Sequence, residues 1–160
     1  MTIRKIVITG GPCGGKSSAR DYVKRHFEEK GHTVLFVPET ATELITGGVA
    51  PWTCGKNVDH QKCQMKLQLC KEEVFAYAAS TMPKEKILIV CDRGALDNCA
   101  YMTEDEFKIT LDDIGKTEDE LLEGYDAVFH LVTAADGAAR FYIKCFSMPI
   151  ELLIINLQFF

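Results

Sequence analysis

No stretch of this 160-residue sequence is apolar for long enough to cross a bilayer. The tail run Leu152–Ile155, with Leu157, Phe159 and Phe160 beyond it, falls well short, so the chain is read as not transmembrane. Positive charge is also scarce: 18 Lys and Arg stand against 23 Asp and Glu, for a net charge of −5. That balance excludes a general nucleic-acid binder but leaves room for a local basic pocket around an anion. The seven cysteines (Cys13, Cys54, Cys63, Cys70, Cys91, Cys99 and Cys145) contain no C-x-x-C pair, and their number is odd. This excludes a disulfide framework and a zinc ligand set, and it predicts reduced thiols in a cytoplasmic protein. No signal peptide precedes the first strand, and neither an internal repeat nor a low-complexity linker is found. The guanine-reading pattern N-K-x-D is missing, which argues against a Ras-like GTPase. Tryptophan occurs once, at Trp52.

What is present is one organising stretch, Gly10-Gly11-Pro12-Cys13-Gly14-Gly15-Lys16-Ser17. It satisfies every fixed position of the phosphate-loop pattern G-x-x-x-x-G-K-[ST]. With glycine at about 7% of residues, chance alone supplies that pattern in under roughly 1% of chains this long. The apolar, β-branched run Lys5–Thr9 predicts a strand before it. Ala19, Val23 and Phe27, spaced by four, predict a helix after it over 16–30, stopped by Gly31. A helix start offers unpaired N–H groups and partial positive charge to a phosphate. Gly10, Gly11, Pro12, Cys13, Gly14, Gly15, Lys16, Ser17 and Ser18 are therefore the expected cradle for a nucleoside triphosphate. Lys16 would reach the β- and γ-phosphates, and the Ser17 hydroxyl would ligate Mg²⁺.

Further strands are expected at 33–37, 87–91 and 127–132, each a short apolar run. Strand, helix, strand in that order implies a right-handed crossover and a parallel sheet. Glu39 follows the second strand directly and Asp92 the third, which is the sheet edge where ligands collect. An aspartate closing an apolar strand is what a Walker B segment looks like, so Asp92 is assigned to Mg²⁺ with Ser17. Thr103 and Thr117 start capping boxes. Asp112–Gly115 matches D-x-x-G but sits in a polar helical stretch, so it reads as a helix end. A long helix over 57–80 is expected to pack the stripe Cys63, Leu67, Cys70, Val74 and Ala78 into the core. His60, Cys63 and Cys70 share a face but lack zinc spacing. Trp52 is expected to anchor a loop over 47–55 or to flank a pocket. His130, mid-strand, is expected to be a core histidine rather than a catalyst.

Four motifs in order resemble one family: TGGPCGGKS (9–17), VPETATELI (37–45), CDRGALDNCAYM (91–102) and YDAVFHLVTAADGAARFY (125–142). They look like the AAA-type P-loop domain shared by NadR-like kinases and the TRPL translocation defect protein. The resemblance implies an α/β P-loop NTPase with a kinase-like parallel sheet and helices on both faces. In the NadR-like branch the domain phosphorylates a nucleoside. In the other it is an ATP- or GTP-binding module joined to a C-terminal domain and associated with membrane-protein trafficking, and 10–17 and 125–138 look closer to that branch. Residues 1–142 are thus expected to form the nucleotide-binding domain. Residues 143–160 depart from the family pattern and are expected to be a divergent, shortened tail, with the C-terminal domain present in longer forms.

The expected function is Mg²⁺-dependent binding of ATP or GTP, as a regulatory module. The alternative is a small-molecule kinase. For transfer, Lys16 would neutralise developing charge, Glu39 would serve as base, Asp92 would hold Mg²⁺, and Arg93 would hold acceptor or phosphate. The bland readings beside these are a helix-starting glutamate at Glu39 and an ordinary ion pair at Arg93. Cys13 either fills a permissive loop position or makes the loop sensitive to oxidation.

Overall fold

A computed structural model describes residues 1–11 and 14–132. Pro12, Cys13 and the tail expected over 143–160 lie outside the described residues. Four parallel strands form the sheet: β1 (Thr2–Gly10), β2 (Thr33–Val37), β3 (Lys86–Asp92) and β4 (Ala127–Leu131). Their spatial order is β2-β3-β1-β4. The register pairs Ile8 with Asp92 and Val37 with Cys91, so three strands end together at one edge.

The apolar runs explain this arrangement. Ile87 to Cys91 are all buried, as a strand covered on both faces requires. Alternate side chains feed two cores. Val7, Val37, Ile87, Ile89 and Cys91 face α3 (Asn57–Thr81), meeting Phe75, Ala76 and Ala79. Ile6, Ile8, Leu88, Val90 and Leu131 face α1 (Lys16–Glu29), meeting Ala19, Val23 and Phe27. Each such side chain, fully buried, is worth about 1.5–3 kcal/mol. A third cluster, Met65, Ala95, Phe107, Leu111 and Leu121, joins α3 to a 3-10 helix (Ala95–Tyr101), α4 (Glu104–Ile114) and α5 (Glu118–Glu123). A short α2 (Thr40–Thr46) completes the order.

Both capping boxes form: Thr103 accepts from the Glu106 N–H and Thr117 from the Glu120 N–H. Gly115 ends α4 in the left-handed region, so the D-x-x-G segment is a helix end.

Three expectations are corrected. On α3, Cys63, Cys70 and Val74 are exposed, Val74 at 57%. The inward face instead carries His60, Gln61, Gln64, Met65, Gln68, Glu72 and Ala79. Apolar periodicity misleads here because the inward polar groups Gln68 and Glu72 are hydrogen-bonded inside the protein. Trp52 is 76% exposed and anchors nothing. His130 is exposed, because it lies on the outward side of β4, an edge strand among the described residues.

Gly10 closes β1 at φ 139°, and a Cβ there would collide with the Leu131 carbonyl oxygen. Gly10→Ala is expected to destabilise the fold by about 2 kcal/mol or more. Thermal denaturation should show this as a fall in Tm of about 4–8 °C.

Candidate active site

The site forms where β1, β2 and β3 end. After Gly10 the chain turns, with the Gly14 N–H donating to the Gly11 carbonyl at 3.3 Å, and enters α1 at Lys16. Gly15, the residue before the helix, is left-handed at φ 80° and supplies no side-chain cap. The first turn of α1 also contains no acidic residue. Its N–H groups and positive dipole end therefore remain available to an anion. Ser17 and Ser18 are exposed at this end. Lys16 Nζ donates to the carbonyls of Gly10 (2.9 Å) and Gly11 (3.0 Å), which leaves one of its three donors for a phosphate oxygen.

Burial and then the Arg93 charge pull the Lys16 pKa down, against Asp92, Glu39 and Asp97, which raise it. These groups therefore sit within electrostatic reach of the phosphate lysine. A small pocket is lined by Ile8, Lys16, Arg20, Val90, Cys91 and Asp92. Asp92 Oδ1 is buried in it without a hydrogen-bond partner among the described residues. Burial and the nearby Glu39 charge push the Asp92 carboxyl up, while Lys16, Arg20 and Arg93 oppose the rise. A buried carboxylate oxygen lacking a partner fits a divalent cation, and hard oxygen donors are what Mg²⁺ takes. Asp92 and Ser17 would hold it.

Arg93 is placed more tightly than its sequence position suggests. Its φ of 69° is the only positive value for a non-glycine among the described residues. Such a conformation costs about 1–3 kcal/mol and persists only where neighbours hold it. Its N–H donates to the Ile8 carbonyl (3.0 Å), its carbonyl accepts from Gln68 Nε2 (3.2 Å), and its Nε donates to Glu39 Oε1 (2.7 Å). Gln68 is itself fixed by donating to Glu72 Oε1 at 2.8 Å and accepting from the Thr40 hydroxyl. Glu72, buried, also accepts from Lys5 Nζ (2.9 Å) and the Tyr125 hydroxyl (2.8 Å).

Glu39 stands just before α2, at its N-terminal cap position, so the helix-starting reading is correct as far as it goes. It also pairs with Arg93, so the ion-pair reading of Arg93 holds as well. Lys71 anchors the junction that carries Glu39, donating to the Pro38 carbonyl (2.7 Å) and to Glu43 Oε2 (2.7 Å). Burial raises the Glu39 pKa, but hydrogen bonds from Thr42 and Arg93 and the charges of Arg93 and Lys16 outweigh it. The carboxyl is held below the usual glutamate range. The Glu39 carboxylate thus adds stability that is complete above the ordinary value of about 4.5 and is lost as pH falls through the lowered value. Measured as Tm against pH, the advantage of wild type over Glu39→Gln is expected to shrink on acidification through that window.

Several further residues belong to the site. Arg20 follows Lys16 by four residues, one helical turn along the same face, and that spacing could have revealed it. Asp97 accepts from the Thr9 hydroxyl and, through Oδ2, from the Gly94 N–H at 2.6 Å, tying the end of β1 to the 3-10 helix. Gln68 and Lys71 act through α3, whose inward face is polar and carries no apolar periodicity to mark it.

A family model described as an AAA domain matches residues 5–142. The chain belongs to the AAA domain family. The match to this AAA domain ends at residue 142, where the fourth of the motifs ends. The comparison with curated proteins returns no match. Among solved structures, the deoxyadenosine kinase from M.mycoides with bound dATP is similar at 17% identity and a TM-score of 0.49. The similarity covers 94% of this chain and 75% of that one. As an AAA domain with the complete phosphate-loop sequence on a parallel sheet, the protein is a nucleotide-binding protein. Among the described residues no helix is long and apolar enough to cross a membrane, and no cluster of three or more His, Cys, Asp or Glu is arranged to hold a metal.

Proposed function

We propose that the protein binds a Mg²⁺-complexed purine nucleoside triphosphate, ATP or GTP, and transfers its γ-phosphoryl group to a hydroxyl of a small acceptor. One observation carries this reading. Glu39, a carboxylate outside the phosphate loop, is aimed by the 2.7 Å bond from Arg93 at the sheet edge shared with Lys16 and Asp92.

In this scheme the backbone of 10–17 and the start of α1 hold the phosphates. Lys16 offsets the charge that builds on the transferred group. Ser17 and Asp92 would hold Mg²⁺, which would supply positive charge against the phosphate oxygens. Glu39, kept ionised by Thr42 and Arg93, accepts the proton of the attacking hydroxyl. Arg93 holds Glu39 in place and adds positive charge beside the reacting oxygens.

The test is transfer of labelled γ-phosphate to a panel of neutral hydroxylated acceptors, run beside nucleotide-binding titrations. Transfer that requires Mg²⁺ and is lost in Glu39→Gln supports the kinase. Tight binding with no transfer to any acceptor would instead leave the regulatory nucleotide-binding module.

A further inference from the structure

Glu72 takes no part in holding nucleotide, Mg²⁺ or acceptor, yet it is the most heavily bonded buried side chain behind the site. It lies on the inward face of α3 and is 3% exposed. Three donors converge on it. Lys5 Nζ meets Oε2 at 2.9 Å, and Gln68 Nε2 and the Tyr125 hydroxyl meet Oε1, each at 2.8 Å. Burial and then the Glu72 charge push the Tyr125 phenol up, so it stays protonated and donates. Taking two charges out of water offsets much of their attraction, and packed apolar side chains often stabilise a core as well. The Lys5–Glu72 pair therefore calls for a cause other than stability.

The bonds that leave this cluster reach the active site by two routes. Gln68 forms the first: its Nε2 also donates to the Arg93 carbonyl (3.2 Å), and its Oε1 accepts from the hydroxyl of Thr40, the buried residue next to Glu39. Tyr125 forms the second: its hydroxyl oxygen accepts from the Ala95 N–H at 3.1 Å. The same oxygen lies so close to Gly94 that a Cβ there would come within 3.2 Å of it. The turn 93–95 is thus held at both ends, which keeps Arg93 at its φ of 69°. Both members of the Glu39–Arg93 pair therefore rest on one buried carboxylate. The β2–β3 ladder runs in register only as far as Val37 and Cys91, and beyond it these bonds set the spacing of the two residues.

We propose that Glu72 is a positioning residue for phosphoryl transfer, holding Glu39 and Arg93 at their working separation through Gln68 and Tyr125. The role rests on the phosphoryl-transfer reading. What it needs from Glu72 is an acceptor oxygen with two lone pairs, one for Gln68 and one for Tyr125. Lys5, bonded to the other oxygen, keeps the carboxylate turned that way. Positioning of this kind has large effects, because a displacement of about 1 Å at reacting groups can cost about 100-fold in rate.

The test compares two double variants that both remove the buried ion pair. Lys5→Met/Glu72→Gln keeps an acceptor oxygen at position 72, and Lys5→Met/Glu72→Leu removes it at similar volume. Transfer from γ-labelled Mg²⁺·ATP is measured on a panel of neutral hydroxylated acceptors, adenosine, guanosine, cytidine, uridine and ribose among them, with Tm as the control for folding. The first variant is expected to keep kcat within about 3-fold of wild type. The second is expected to lose about 10- to 100-fold in kcat, with KM for Mg²⁺·ATP within about 2-fold. In a Glu39→Gln background the difference between the two should shrink, because one of the groups being positioned has lost its function. If the second variant does not fold, Tyr125→Phe, which cuts one route, is expected to lower kcat about 3- to 10-fold at constant KM. Equal kcat in the two double variants overturns the proposal, as does unchanged kcat in Tyr125→Phe. A loss carried by KM alone, or one undiminished in the Glu39→Gln background, also overturns it. Binding of Mg²⁺·ATP by wild type with no labelled acceptor overturns the phosphoryl-transfer reading, and the positioning role with it, a result distinct from any of these.

Discussion

Glu39→Gln is expected to lower phosphoryl transfer by about 10²- to 10⁴-fold while leaving Mg²⁺·nucleotide affinity within about 2-fold of wild type. The substitution keeps the shape of the side chain and an oxygen that can accept from Arg93 Nε, now at 2.7 Å. It removes the proton acceptor. Because Thr42 and Arg93 hold the carboxyl below the usual glutamate range, the wild-type residue is ionised throughout the neutral region. The difference between wild type and variant should therefore stay constant from pH 6 to 8. Single-turnover transfer, measured beside equilibrium nucleotide binding, checks both halves of this expectation. A parallel loss of binding would make Glu39 a structural brace of the loop and remove its role as base.

Lys16→Ala is expected to weaken triphosphate binding by about 100-fold, and to weaken diphosphate binding less. A hydrogen bond to a charged group is worth about 1.5–3 kcal/mol, and a 100-fold change in affinity is about 2.7 kcal/mol. Part of that effect is offset, because Lys16 must give up its bonds to the Gly10 and Gly11 carbonyls or share them with the phosphate. The fold should tolerate the change. Lys16 is only partly buried, and its bonds close a loop and do not join elements of the core. Titration of ATP, GTP and ADP against both proteins, with Tm as the control for folding, tests the ordering.

The sheet was legible because its strands are short, continuous apolar runs ending in special residues. Val37 runs into Pro38 and Glu39, and Cys91 into Asp92 and Arg93. A parallel strand buried on both faces has little freedom to look otherwise. The phosphate loop was legible because its glycines and lysine answer to local geometry. The outer part of the site was not. Gln61, Gln64, Gln68 and Glu72 read as the wet side of an amphipathic helix, and Cys63, Cys70 and Val74 as its dry side. The fold inverts that reading because Gln68 and Glu72 bond to Thr40, Tyr125, Lys5 and the Arg93 carbonyl. Those partners are 25 to 67 residues away in sequence, and no local pattern encodes them. His130 and Trp52 were misjudged for the related reason that burial depends on neighbours. An edge strand and a loop tip have fewer of these than the interior of a sheet.

The central claim joins a phosphate loop to a base-and-acceptor site at one sheet edge. Its most direct test is phosphoryl transfer by the wild-type protein from γ-labelled Mg²⁺·ATP and Mg²⁺·GTP to a panel of nucleosides and other neutral hydroxylated acceptors. The account predicts label on at least one acceptor, with the transfer lost when Mg²⁺ is chelated. Saturable binding of the triphosphate with no label on any acceptor would contradict it.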